Sequence, residues 1–291
     1  MRLGDEDPSG NFIDNTGRSG MGFGGGGGNL LGCLLPMVMS RFGIIGVVIL
    51  LLGYCALTQM GGGGLIPGGA PTTTQSAPSG QSTIDPNTKD LLTRVLGSTE
   101  RRWTDIFAKE GQRYEPTTLV AYSNSDQSGC GVAQSAMGPF YCPTDKRIYV
   151  DPQFFNELSQ RFGAPGDFAM AYVIAHEVGH HVQGLTGALD QAQRAQASAG
   201  KARGNQIQVG VELQADCYAG VWAANDKNLM EPGDLEEGMR AAEAIGDDTL
   251  QKQMQGRVVP ESFTHGTSAQ RMAALKRGLE TGDPNACNFN N

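Results

Sequence analysis

The stretch FAMAYVIAHEVGHHVQ, Phe168–Gln183, decides how this chain is read. Its first half is almost entirely apolar, as a buried helix requires. It then turns abruptly to His176, Glu177, His180 and His181. The whole chain has 4 histidines, so most of them sit here. A buried helix has little reason to carry such groups without partners, because an unpaired buried polar group costs several kcal/mol. On a helix, positions i and i+4 share a face. His176 and His180 can therefore offer two neutral imidazoles to one ion, a good ligand pair for zinc. Glu177 follows His176 directly and can reach a water on the metal without being a ligand. This is the H-E-x-x-H pattern, in which the metal acidifies a water and the glutamate takes its proton. The alternative is a solvated helix end with core-facing histidines. His181 points about 100° round the helix from His180 and reads as a packing or supporting residue.

Catalytic zinc keeps three protein ligands and one open position. Downstream, the donors are His265, in ESFTHGTSAQR, and Glu212, in VELQADCYAG. Glu212 could bind the ion while Asp216, one turn on, holds the far nitrogen of a ligand histidine. Val209, Val211, Leu213, Ala215, Tyr218 and Trp222 surround this acidic pair, so a solvated acidic face fits poorly. His265 could instead donate to the oxyanion of a tetrahedral intermediate. It could also simply cap its loop, with Arg271 bonding nearby carboxylates.

The chain has 291 residues and a formal charge of −8. An acidic balance with no basic block argues against nucleic acid as a partner. The 42 glycines cluster early. Residues 1–41 read as a disordered, Gly-rich cytoplasmic tail. Residues 42–60, FGIIGVVILLLGYCALTQM, carry no charge and have the length of a transmembrane anchor. The tail before them is too long for a signal-peptide n-region. Residues 61–87 form a flexible Gly/Pro/Ser/Thr linker, and 88–291 the folded domain. Arg2, Arg18 and Arg41 precede the anchor and no basic residue follows it until Lys89. That pattern predicts a single-pass inner-membrane protein with a cytoplasmic N-terminus and a periplasmic or extracytoplasmic domain. Cys130, Cys142, Cys217 and Cys287 then fall in an oxidising compartment and suggest disulfides. Three pairings are possible. The short loop favours Cys130–Cys142, leaving Cys217–Cys287; free buried thiols are the alternative.

Helical periodicity covers Asn87–Gly111, Pro152–Gly163, Ala164–Gly187 with Asp167 as its N-cap, Ala202–Asn225, Asp234–Gly246 and Ser268–Gly282. Thr117–Ser123 and Arg147–Asp151 read as strands, and the region between Cys130 and Cys142 as loop. RIYVD is the expected edge strand for an extended substrate.

AYVIAHEVGHHVQ, followed by ELQADCYAGVWA and FTHGTSAQR, resembles the bacterial neutral zinc metallopeptidase family of YpfJ-like proteins. The likeness runs from about Asp85 to Cys287, includes GPFYCPTDKRIYVDPQFF, and extends to the order of tail, anchor and linker. The resemblance implies a gluzincin: His176, His180 and Glu212 as ligands of one Zn²⁺ per chain, Glu177 as base and Asp216 behind a ligand. The expectation is an α+β, mostly helical, zincin-like domain with a few N-terminal strands, plus one transmembrane helix. Its expected activity is zinc-dependent hydrolysis of peptide bonds in a peptide or protein substrate, with His265 as oxyanion donor. The alternatives are a non-catalytic zinc-containing envelope binding or chaperone-like module, and a zinc hydrolase of cell-wall amides.

Overall fold

The structure, a computed structural model, describes residues 1–18 except Asp5 and 81–289 except Lys227. These residues belong to one compact unit. The expected anchor at 42–60 and most of the tail and of the linker lie outside the described residues.

Strand β1 (Phe12–Asp14) opens the fold, followed by helix α1 (Pro86–Lys109). Asp85 caps α1 by accepting from the N–H groups of Asn87 and Thr88, and Pro86 occupies the first turn. Leu92, Val95, Leu96, Trp103, Ile106 and Phe107 form its buried face. Strands β2 (Thr118–Ala121), β3 (Ser125–Ser128), β4 (Gly131–Gln134), β5 (Phe140–Cys142) and β6 (Arg147–Val150) follow. The rest is helical: α2 (Gln153–Gln160), α3 (Asp167–Leu185), α4 (Ala188–Ser198), α5 (Lys201–Asn225), α6 (Asp234–Ala244), α7 (Asp247–Gln255) and α8 (Ser268–Thr281). The domain is thus α+β and mostly helical, as expected.

The main sheet has the order β1-β2-β6-β5, with β5 antiparallel to β6 and the other pairs parallel. RIYV is therefore an inner strand, and the edge belongs to FYC. The chain reverses after Cys142, with Lys146 at φ 56°, and folds β5 back over the side of β6 that the sequence left open. Strands β3 and β4 form a separate hairpin, and β4 falls in the region between Cys130 and Cys142 expected as loop. Their sequences, SDQS and GVAQ, are too short and polar to show the β-branched pattern.

The first residues, read as tail from composition, pack on the domain. Phe12, Ile13 and Asp14 pair with Leu119, Val120 and Ala121. The N–H of Arg2 donates to Leu229 O at 2.8 Å and that of Ser9 to Thr93 O at 2.9 Å. The α-amino group of Met1 lies among Asp167 (3.0 Å), Glu231 (3.0 Å) and Asp234 (3.3 Å). This overturns the single-pass topology. Residues 1–18 and 81–289 fold together, and one crossing between them would put the two parts on opposite faces of a bilayer. Among the described residues, moreover, no helix is long and apolar enough to cross a membrane. Helix α1 has the length, but carries Lys89, Asp90, Arg94, Glu100, Arg101, Arg102 and Asp105. The expected transmembrane helix, the membrane as a partner and the single-pass inner-membrane location are corrected accordingly.

Helix α3 is the centre of the domain. From Phe168 to Gln183 every residue except Met170 and His180 is buried. It begins at Asp167, with Gly166 rather than Asp167 in the cap position. Helix α5 crosses it closely at Gly179, where a Cβ would lie 2.9 Å from Ala215 O. Helix α8 packs as tightly on α5, because Gly220 and Gly278 let the two backbones touch. Disulfides join Cys130 to Cys142 and Cys217 to Cys287, the pairs expected.

Candidate metal centre

The close crossing at Gly179 sets the polar face of α3 against α5. His176 Nε2 lies 3.2 Å from Glu212 Oε2, and His180 Nε2 lies 3.5 Å from the same oxygen. The two imidazole rings are 4.7 Å apart and nearly perpendicular. A tetrahedral ion with bonds of about 2.0–2.1 Å needs donor atoms roughly 3.3 Å apart. Two nitrogens and one oxygen also form a donor set that suits zinc. The residues present therefore fit the ion by spacing and by chemistry. Of the two third-ligand candidates, Glu212 stands beside both histidines. His265 does not belong to this cluster.

Each donor is held from behind. His176 Nδ1 lies 2.7 Å from Asp216 Oδ1. Asp216 is fully buried, and also accepts from Tyr172 Oη at 2.6 Å and from Arg271 Nε and Nη2 at 2.8 Å each. Burial opposes the charge of Asp216, but Arg271 and His176 outweigh it and hold its pKa at about 2. His180 Nδ1 meets Gln183 Oε1 at 2.8 Å. Glu212 Oε1 accepts from Gln208 Nε2 at 2.9 Å, leaving Oε2 to the histidines. With Nδ1 occupied, both imidazoles turn Nε2 toward Glu212, the orientation in which a metal could be held from the far side of these bonds.

The electrostatics point the same way. Burial lowers the pKa of His176, yet Asp216 and Glu212 push it up to about 10. Burial also opposes a charge on His180, but Glu212 raises its pKa overall. Burial would raise Glu212, and the two histidines hold it well below the carboxylate range instead. The carboxylates thus favour positive charge on the two imidazoles, the sign of charge that a cation would supply.

A cleft of about 450 Å³ opens over the cluster. Glu177 lines it, along with Tyr141, Val173, Leu250 and His265. The ring of His265 is half exposed, with Nδ1 3.1 Å from Thr264 Oγ1 and 3.5 Å from Asp247 Oδ1. The Asp247 carboxylate raises its pKa against the effect of burial. His181, expected as a packing or supporting residue, is fully buried and bonded at both nitrogens.

Gln183, Gln208 and Tyr172 were not singled out in the sequence, and Arg271 was expected to bond carboxylates near its loop without Asp216 being named. Three had a local signal: Gln183 follows His180 by one turn, Gln208 precedes Glu212 by one turn, and Tyr172 precedes His176 by one turn. Arg271 reaches Asp216 from a separate helix, and nothing in local spacing announces that.

A family model described as "Putative neutral zinc metallopeptidase" matches residues 1–289. The match takes in the N-terminal residues that join the sheet. The chain is 45% identical over 247 residues to "Uncharacterized protein YpfJ" of Escherichia coli (strain K12), covering 84% of this chain and 85% of that protein. It is 46% identical over 188 residues to "Uncharacterized protein Mb2605" of Mycobacterium bovis, covering 60% of this chain and 62% of that protein. No solved structure matches.

Proposed function

The chain belongs to the family described as "Putative neutral zinc metallopeptidase", and from that premise we propose that it is a zinc-dependent endopeptidase. The observation that carries this reading is the convergence of His176 Nε2, His180 Nε2 and Glu212 Oε2 in a cleft that Glu177 also lines. His176, His180 and Glu212 would hold one ion. Zinc, when bound, supplies a Lewis acid that polarises a carbonyl and brings the pKa of a water near neutrality.

Glu177 is the base: it takes a proton from the attacking water and passes it to the leaving amine. Asp216, clamped by Arg271 and Tyr172, fixes the tautomer of His176. His265 keeps Nδ1 on Asp247 and offers its Nε2–H to the oxyanion that develops on the substrate. The substrate adds as an extended chain to β5, whose outer edge is unpaired within the sheet and whose residues Phe140 and Tyr141 line the cleft. The two disulfides fit an oxidising compartment.

The test compares wild type with Glu177→Gln on casein, with zinc measured in both. Wild type should cleave in a chelator-sensitive manner. The variant should keep its zinc and lose cleavage by at least about 10²-fold, at the low end for general-base catalysis. Cleavage by the variant at the wild-type rate would remove Glu177 from the mechanism. A wild type that holds zinc and cleaves nothing would favour a binding module.

A further inference from the structure

His181 is next to a metal-site histidine, but its own contacts lead elsewhere. Its Nε2 lies 2.6 Å from the carbonyl oxygen of Glu115, in the segment before β2. A carbonyl only accepts, so Nε2 carries the hydrogen. Nδ1 is then an acceptor, and the hydroxyl of Tyr141 donates to it at 3.2 Å. The ring also lies edge-on between Tyr114 (5.7 Å) and Tyr141 (5.5 Å).

Tyr141 is the middle residue of β5. That strand is 3 residues long and is hydrogen-bonded within the sheet on one side only, to β6. A strand so short has little to hold it in place. Two further fastenings grip it. The Cys130–Cys142 disulfide ties its end to the hairpin. The Tyr141–His181 bond ties its middle to α3, the helix that carries His176, Glu177 and His180. Gly184 completes the seat, since a Cβ there would lie 3.3 Å from Tyr141 Oη.

We infer that His181 is a positioning residue that sets the height of edge strand β5 over the metal-site helix. The inference rests on the proposed role of β5 as the strand to which substrate adds. One turn of α3 then does two jobs: His180 belongs to the metal site, while its neighbour holds the strand along which the substrate lies. Such a strand binds the substrate residues that lie along it through their main chain, so a dedicated bond that holds it has a purpose here. A merely structural histidine would support the core without distinguishing one substrate from another.

The test uses Tyr141→Phe, which keeps the ring and removes the hydroxyl. Two His181 variants accompany it: His181→Leu removes both bonds, and His181→Asn keeps an acceptor near the Nδ1 position. Each is assayed with quenched-fluorescence peptides of four and ten residues that share one cleavage sequence from the casein digest, and zinc content is measured. Losing one such bond should raise KM for the longer peptide roughly threefold to tenfold in Tyr141→Phe. His181→Leu should do at least as much and His181→Asn less. KM for the shorter peptide and both kcat values should move less, with zinc retained. Amide hydrogen exchange in residues 138–143, measured without substrate, should quicken in Tyr141→Phe. Equal losses on both peptides, lost zinc, or unaltered exchange would each overturn the inference. If wild type cleaves neither peptide, the peptidase reading fails, while the exchange measurement still decides whether His181 holds β5.

Discussion

Gln183 Oε1 lies 2.8 Å from His180 Nδ1, one turn further along the same helix. The amide cannot be turned round, because its Nε2 donates to Val211 O at 2.7 Å and to Gln214 Oε1 at 3.0 Å. Gln183 therefore presents its oxygen to His180 and leaves that imidazole one tautomer. The arrangement parallels Asp216 on His176, with a neutral amide in place of a carboxylate. Gln183→Leu should weaken zinc binding by about 10–100-fold, the usual cost of losing such a partner. Competition with a chelating dye measures it, and an unchanged affinity would mean that packing alone orients His180.

Arg271 donates to the fully buried Asp216 from both Nε and Nη2. Arg271→Met keeps the length of the side chain and leaves the carboxylate with Tyr172 and His176 alone. Breaking a buried pair from one side costs about 3–5 kcal/mol. Urea unfolding should show a loss of this size. A loss below about 1 kcal/mol, the worth of a surface pair, would show that water or a rearranged donor replaces the guanidinium.

The pairing of His265 with Asp247 sets a pH dependence. Neutral His265 with its hydrogen on Nδ1, facing Asp247, has no hydrogen at Nε2 to donate. Only the cation can both keep Asp247 and donate to an oxyanion. Activity should fall as pH rises through the His265 pKa, which Asp247 raises above the ordinary imidazole value. Asp247→Asn should shift this alkaline limb of kcat/KM to lower pH. His265→Ala should reduce kcat by about 10²–10³-fold. A limb that stays in place in Asp247→Asn would assign it to another group.

Asp14 anchors the first strand. It accepts from Ser82 Oγ at 2.6 Å, Thr16 Oγ1 at 2.6 Å and Lys89 Nζ at 3.1 Å. Burial would raise its pKa, but these donors together lower it from 3.8 to about 2. Its folded pKa lies below the unfolded one. Its contribution is thus present above pH 3.8 and lost as pH falls through about 2. Allowing for solvent screening, the effect is on the order of 1 kcal/mol. Asp14→Asn should flatten stability against pH in this window, as thermal unfolding at several pH values would record. An identical acid slope in variant and wild type would place the titration elsewhere.

What the linear sequence determined was local. The apolar run before His176 and the i, i+4 spacing put His176 and His180 on one face of a helix with Glu177 beside them. The same spacing put Glu212 one turn from Asp216. These follow from 3.6 residues per turn and need no knowledge of the rest of the chain. Which candidate donor stands beside the two histidines was not local. His265 and Glu212 were both open until the contact of Gly179 with Ala215 set α5 against α3. Arg271 reached Asp216 only because Gly220 and Gly278 let α8 lie on α5. The inner place of RIYV, and the strand formed by Phe12–Asp14, depended on pairings that short strands do not advertise in their composition. The packing of the first residues on the domain also settled that both lie on one side of any bilayer, which hydropathy and charge alone had read the other way. Helix periodicity is written into neighbouring residues. The meeting of distant side chains is decided by how closely the backbones carrying them can pack.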